Sequence, residues 1–210
     1  MGRRSDHSRA ELKALIVAAG HGLMAEQGFA RFSTREVAKR IGYSVGTIYN
    51  VFENADALML AINTRTFSLW ADHLHAALDV AGDDRIGALV EAYFVFAQAN
   101  PNLWTAIYEH HVPPMMLISE GDAATRALLT TIVIDEVARA LDCLAGDGVR
   151  ALAISLIATV HGHCAFAVSG SFALMGEEDP VGNALARVRE SLDAHGVWDC
   201  RSSDFAQLDK

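Results

Sequence analysis

The sequence predicts an all-α protein: an N-terminal three-helix head followed by a larger helical body, about nine helices in total. Three observations carry this. Ala and Leu dominate the apolar residues, and the short alternations of Val, Ile and Thr that build strands do not stand out. Apolar side chains recur three and four positions apart, the period of a helix face. Ser, Asn, Gly and Pro punctuate these stretches where helices start and stop.

The elements follow in order. Ser8 and Glu11 form a capping-box pair, and Leu12, Leu15, Ile16, Ala19 and Leu23 then share a face up to Gly28, predicting a helix over 9–27. Ser33 and Glu36 read as a second capping box, opening a short helix that Gly42 ends. Ser44 caps a third over 45–52, and two short helices around a glycine turn make a helix-turn-helix pattern. A helix opens at Asn54 and runs toward Val80, another spans 85–99, and Pro101 starts one reaching about His110. Beyond Pro113 and Pro114, long helices are predicted over 119–143 and 149–174. The second of these is so apolar that it implies burial on most sides. Pro180 opens a last amphipathic helix through Ala194, leaving 197–210 as a loose tail. The expected domains are therefore 1–53 and 54–196.

Composition excludes several classes. With 51 % hydrophobic residues the chain has a core to build, so it is not a disordered polymer. Three cysteines, Cys143, Cys164 and Cys200, form no CxxC pair, which fits a reducing compartment rather than a disulfide scaffold. The most apolar window, 151–168, contains His161 and His163 and is read as a buried helix, so the expectation is a cytoplasmic protein without a membrane span. The net charge of −9 is unevenly placed. Residues 1–50 hold eight basic against four acidic side chains, while 51–210 hold nine against twenty-two. A basic head on an acidic body points to a polyanion partner for the head alone.

Within the head, Ser44, Val45 and Asn50 suit base edges, and the Thr47 and Tyr49 hydroxyls suit phosphates. Gly46 keeps the exposed face narrow enough for a major groove. Thr34 lies at a helix start, where backbone N–H groups attract phosphate, with Arg35 beside it. Arg3, Arg4 and Arg9 form a basic arm. The positions Thr34, Val37, Ala38, Gly42, Ser44, Gly46, Thr47, Ile48, Tyr49 and Phe52 fall in the register of the TetR-family DNA-binding head, which residues 8–60 closely resemble. One position departs. Where that family carries Lys at the start of its fourth helix, this chain has Ala55.

The resemblance implies that the body is a ligand-binding and dimerisation domain, pairing through its last two long helices. It implies a homodimer on palindromic double-stranded DNA, released by a small-molecule effector, with repression the usual outcome. The sequence adds small residues on 149–174 (Ala151, Ala158, Gly162) that permit close helix approach, and a stripe of Val181, Leu185, Val188 and Leu192 on the last helix. Candidate effector contacts are Phe67, Trp70, Tyr93, Trp104, Tyr108, His111, Met115, His161 and Cys164, with His110 and Met116 nearby, a set suited to an apolar or aromatic ligand. His161 and Gly162 also resemble the end of the Trp-x-x-x-His-Gly motif of one TetR subgroup, although Ile157 stands at its Trp position. Neither His110–His111 nor His161–His163 has a spacing that clamps one ion, so no metal and no cofactor is expected. With no nucleophile–base spacing or phosphate loop, an enzyme is the weaker alternative, as is a protein-interaction module that has lost DNA binding.

Overall fold

The computed structural model describes residues 7–205, with side chains through His195, and its described elements are all helical. They are α1 (Arg9–Gln27), a 3-10 turn (Phe29–Arg31), α2 (Thr34–Ile41), α3 (Val45–Val51), α4 (Ala55–Asp79) and α5 (Arg85–Ala99). Then come α6 (Pro101–Glu109), α7 (Glu120–Ala140), α8 (Asp147–Val168), α9 (Ser171–Met175) and α10 (Pro180–Phe205). Two compact units result: residues up to Leu69 with Asn100–Arg126, and Trp70–Ala99 with the chain from Ala127 onward. The divisions fall inside α4, between α5 and α6, and inside α7. The α6 segment joins the first unit because it packs on α1: Asn102 Nδ2 donates to the Ala25 carbonyl at 2.8 Å.

The first unit starts as its sequence predicts. Ser8 N donates to Glu11 Oε2 at 2.7 Å, and Glu11 N donates to Ser8 Oγ at 3.3 Å, closing the capping box of α1. Gly42 ends α2 in the left-handed conformation (φ 73°), and the Tyr43 and Gly42 N–H groups return to the carbonyls of Ala38 and Lys39. Ser44 Oγ accepts from Thr47 N at 3.1 Å to open α3. Ser33 departs from expectation. It occupies the position before α2, but its side chain makes no capping bond, and Glu36 lies 3.8 Å from Lys39 instead. Beneath these helices one core joins Ile16, Leu23 and Met24 of α1, Val37 and Ala38 of α2, Ile48 of α3 with Phe52 at its end, Leu58 and Ile62 of α4, and Leu103 and Ala106 of α6.

In the second unit α8 packs on α5 and α10. By length and composition α8 is apolar enough to cross a membrane. Here it buries Val149, Leu152, Ala153, Leu156, Val160 and Cys164 on one side only. Ala151, Ile154, Ala158, Gly162 and Phe166 lie exposed on the other, so the expected burial on most sides is not met within one chain. The expected helix over 149–174 is also broken: Gly170 turns left-handed (φ 75°) and separates α9 from α8. That makes ten α-helices among the described residues. The final helix runs to Phe205, past the expected end at Ala194, and takes in most of the segment expected as a loose tail. Gly196 is tolerated because a single helical glycine costs only about 1 kcal/mol. Residues 206–210 of that tail lie outside the described residues.

An ion pair ties α5 to α7. Glu136 is buried and accepts from Arg85 Nε at 2.6 Å and Nη2 at 2.8 Å, while Arg85 Nη1 donates to the Leu78 carbonyl near the end of α4 at 3.0 Å. The guanidinium holds the Glu136 carboxyl below the usual carboxylate range, against the opposing pull of burial. Removing Glu136 leaves the Arg85 guanidinium without its carboxylate, so Glu136→Ala is expected to lower the urea unfolding midpoint. The double change Arg85→Met/Glu136→Leu is expected to recover most of that loss.

Candidate functional site

In the head, α3 divides cleanly. Ile48, with Phe52 just beyond the helix, points into the core and Val45 packs partly against it, while Ser44, Gly46, Tyr49 and Asn50 are exposed and Thr47 half-exposed. The outward residues occupy adjacent helical columns and so form one face. Ser44 Oγ and Thr47 Oγ1 lie 3.0 Å apart, which orients both hydroxyls at the start of α3. Thr34 is half-buried at the first position of α2, with Arg35 exposed beside it. Ala55 is exposed at the first position of α4, where Asn54 Oδ1 caps by accepting from Ala57 N at 2.8 Å.

The basic residues of the head divide by what they touch. Arg40 is spent within the protein: its two terminal nitrogens donate to Glu26 of α1 at 3.0 and 2.6 Å, a bidentate pair that fixes α2 on α1. Arg35 and Lys39 remain at the surface, Lys39 near Glu36. Arg9 is exposed at the start of α1, and Arg3 and Arg4 lie outside the described residues. The Arg40–Glu26 pair joins residues fourteen apart, and no local pattern announces it.

The second unit contains an apolar cavity of about 50 Å³. Ile86, Leu89, Val90 and Tyr93 of α5, Val133 and Val137 of α7, Leu156, Ile157 and Val160 of α8, and Val188 of α10 line it. Its one polar lining side chain is Tyr93, whose hydroxyl lies 3.0 Å from His161 Nδ1. Burial pushes the His161 pKa down, favouring the neutral ring. Trp70 meets Tyr93 edge-on (centroids 4.8 Å) and stacks on Phe96 (4.9 Å, 3° between planes).

The nine expected effector contacts therefore fall into two groups. Tyr93, His161, Trp70 and Cys164 belong to the second unit, and of these Tyr93 lines the cavity. Phe67, Trp104, Tyr108, His111 and Met115 belong to the first. There Phe67 lies under Arg126, and Trp104 meets Tyr108 edge-on at 5.2 Å. His111 is exposed beside the Glu109 carbonyl, and Met115 is 92 % exposed. The aliphatic lining of the cavity escaped the sequence reading, because Val, Leu and Ile around a void look like Val, Leu and Ile in a core. Within each histidine pair the rings take different partners: His110 Nε2 lies 3.3 Å from Asp56 and His111 Nδ1 3.0 Å from the Glu109 carbonyl, while His161 Nδ1 lies 3.0 Å from Tyr93 and His163 Nδ1 2.9 Å from the Thr159 carbonyl. On the last helix Val188 and Leu192 are buried within the unit, so that part of the expected pairing stripe is used inside one chain.

A short helix exposed over an apolar core, behind a left-handed glycine turn, defines a helix-turn-helix head, and the helical unit with its apolar cavity is of the ligand-binding kind. Residues 16–62 match the family described as bacterial regulatory proteins, tetR family, and residues 86–188 match the tetracyclin repressor-like C-terminal domain. The chain belongs to the TetR family of transcriptional regulators. It is 29 % identical over 117 residues to the HTH-type transcriptional regulator Rv1816 of Mycobacterium tuberculosis, covering 54 % of this chain and 50 % of that one. The chain thus spans about half the length of the curated relatives it matches. The fold is shared with a Rhodococcus sp. RHA1 protein (TM-score 0.68, 20 % identity, 92 % of this chain and 98 % of that one). It is also shared with the multidrug binding protein EbrR solved with imidazole (TM-score 0.60, 18 % identity, 89 % and 96 %).

Cys164 was a candidate contact, and its chemistry is set by burial, which pushes the thiol up to about 12. Iodoacetamide at pH 8 is expected to alkylate half-exposed Cys143 in the folded protein and to reach Cys164 only after denaturation, read by peptide mass mapping.

Proposed function

We propose that this chain is a ligand-responsive, DNA-binding repressor that works as a homodimer on a palindromic operator. The outward face of α3 carries the reading: Gly46, Thr47, Tyr49 and Asn50, stripped of large apolar side chains and held rigidly from beneath. Ser44, Val45 and Asn50 approach base edges, while Thr34, Arg35, Thr47 and Tyr49 position the backbone. Ala55 offers no charge to a phosphate, so Arg35 and Lys39 supply that term.

The dimer forms through the last two long helices, α8 and α10. The support is the open face of α8, where Ala151, Ala158 and Gly162 leave room and Ile154 and Phe166 supply apolar area. A two-fold axis would set two α3 helices about one DNA turn apart, or a multiple of it. The effector is small and apolar or aromatic, in keeping with the cavity's aliphatic walls. At about 50 Å³ the cavity is smaller than the roughly 150 Å³ that admits benzene, so an effector must displace lining side chains, Tyr93 among them. That displacement is what would bias the dimer away from its DNA-competent state.

Selection of bound genomic fragments, followed by affinity measurement with and without effector, tests this. The operator should emerge as an imperfect palindrome, and saturating effector should weaken binding by about 5- to 150-fold, the usual range of such coupling. By reciprocity, operator DNA must weaken effector binding by the same factor. Unchanged operator affinity at saturating effector would contradict the reading.

A further inference from the structure

Arg126, on α7 in the first unit, is bound differently from the other anchored arginines. Arg40 holds Glu26 in a fork, and in the second unit Arg85 holds Glu136. Arg126 has no carboxylate within ion-pair distance among the described residues. Its guanidinium lies over the Phe67 ring, Cζ 4.7 Å from the centroid. Its Nη1 is shut off from solvent and meets no acceptor. Asp122, one turn earlier, bears the complementary charge, but its Oδ2 accepts from Ser119 Oγ at 2.6 Å, and it acts on Arg126 only through space.

A desolvated donor on a charged group is costly to leave unpaired, and an aromatic face offsets only part of that cost. A side chain that served packing alone would be better as Leu or Met at this place. Both Arg126 and Phe67 are half-exposed, so a ligand meets the outer edge of the pair from solvent and engages the covered Nη1 by a small turn of the Arg126 side chain. The guanidinium is planar and permanently charged, and it matches a carboxylate two bonds at a time.

We propose that Arg126 and Phe67 form a seat for an organic carboxylate: its two oxygens accept from Nη1 and a second guanidinium N–H, and its apolar body lies along the Phe67 ring. This seat is built wholly from the first unit and does not rest on the effector cavity of the second, whose lining carries no charged side chain.

Titration calorimetry on the full chain, with phenylacetate, benzoate and decanoate against phenylacetamide, benzamide and decanamide, tests it. At least one carboxylate should bind about tenfold or more tighter than its amide, the difference a charge-assisted fork supplies. Arg126→Gln should bring that carboxylate down to the level of its amide and leave the amide unchanged. Without ligand, Arg126→Met should melt at or above the wild-type temperature, because it removes an unpaired buried donor. Three results would each overturn the proposal. They are no carboxylate binding at millimolar concentration, wild-type affinity in Arg126→Gln, or a melting temperature for Arg126→Met several degrees below wild type, which would make the guanidinium a structural group. None of these uses DNA, so failure here is distinct from failure of the repressor reading.

Discussion

The outward surface of the head depends on the apolar contact beneath it. The α2 and α3 helices have eight and seven residues, below the length at which an isolated helix persists in water. They hold because Val37 and Ala38 of one and Ile48 of the other are buried against Ile16, Leu23 and Met24 of α1. The angle between them is set by Gly42, whose left-handed backbone a Cβ would strain. With the inner side fixed, the outer side is free to be small and polar. The Arg40–Glu26 pair adds a polar tie to the same arrangement, so a cation that composition alone would assign to DNA is used to hold α2 in place.

The body works by a different balance. Its cavity is walled by aliphatic side chains and one phenol, so an apolar ligand has few polar groups to desolvate there, and the cost of entry lies in moving side chains. Tyr93 is the side chain with most to rearrange, since it touches His161 and Trp70 as well as the void. The Arg85–Glu136 pair binds α5 and α7, two of the walls, at a point one residue from the lining positions Ile86 and Val137. It thereby opposes separation of the helices that a ligand would push apart.

Much of the fold was legible because its punctuation is local. Ser8, Gly28, Gly42, Ser44, Asn54 and Pro101 mark boundaries through their own backbone or side-chain chemistry, and α1, α3, α4 and α6 begin where those residues place them. Gly170 was passed over because the apolar pattern of α8 continues across it into Phe172 and Leu174. Gly196 misled in the opposite sense, since a lone glycine does not stop a helix. The outward residues of α3 were readable from their types and register. The cavity was not, because empty space leaves no mark on composition. Arg85–Glu136 and Arg126–Phe67 were illegible for a related reason: each joins positions more than fifty residues apart.

The most direct test of the account is fluorescence anisotropy of labelled DNA from the region upstream of the chain's own coding sequence, against a scrambled duplex, at two salt concentrations. The account predicts tight binding to the first duplex, weaker binding to the second, and affinity that falls with salt by about 0.9 log units per tenfold rise in salt for each phosphate neutralised. Binding that is equally weak on both duplexes and indifferent to salt, with genome-wide selection yielding no enriched fragment, would contradict it.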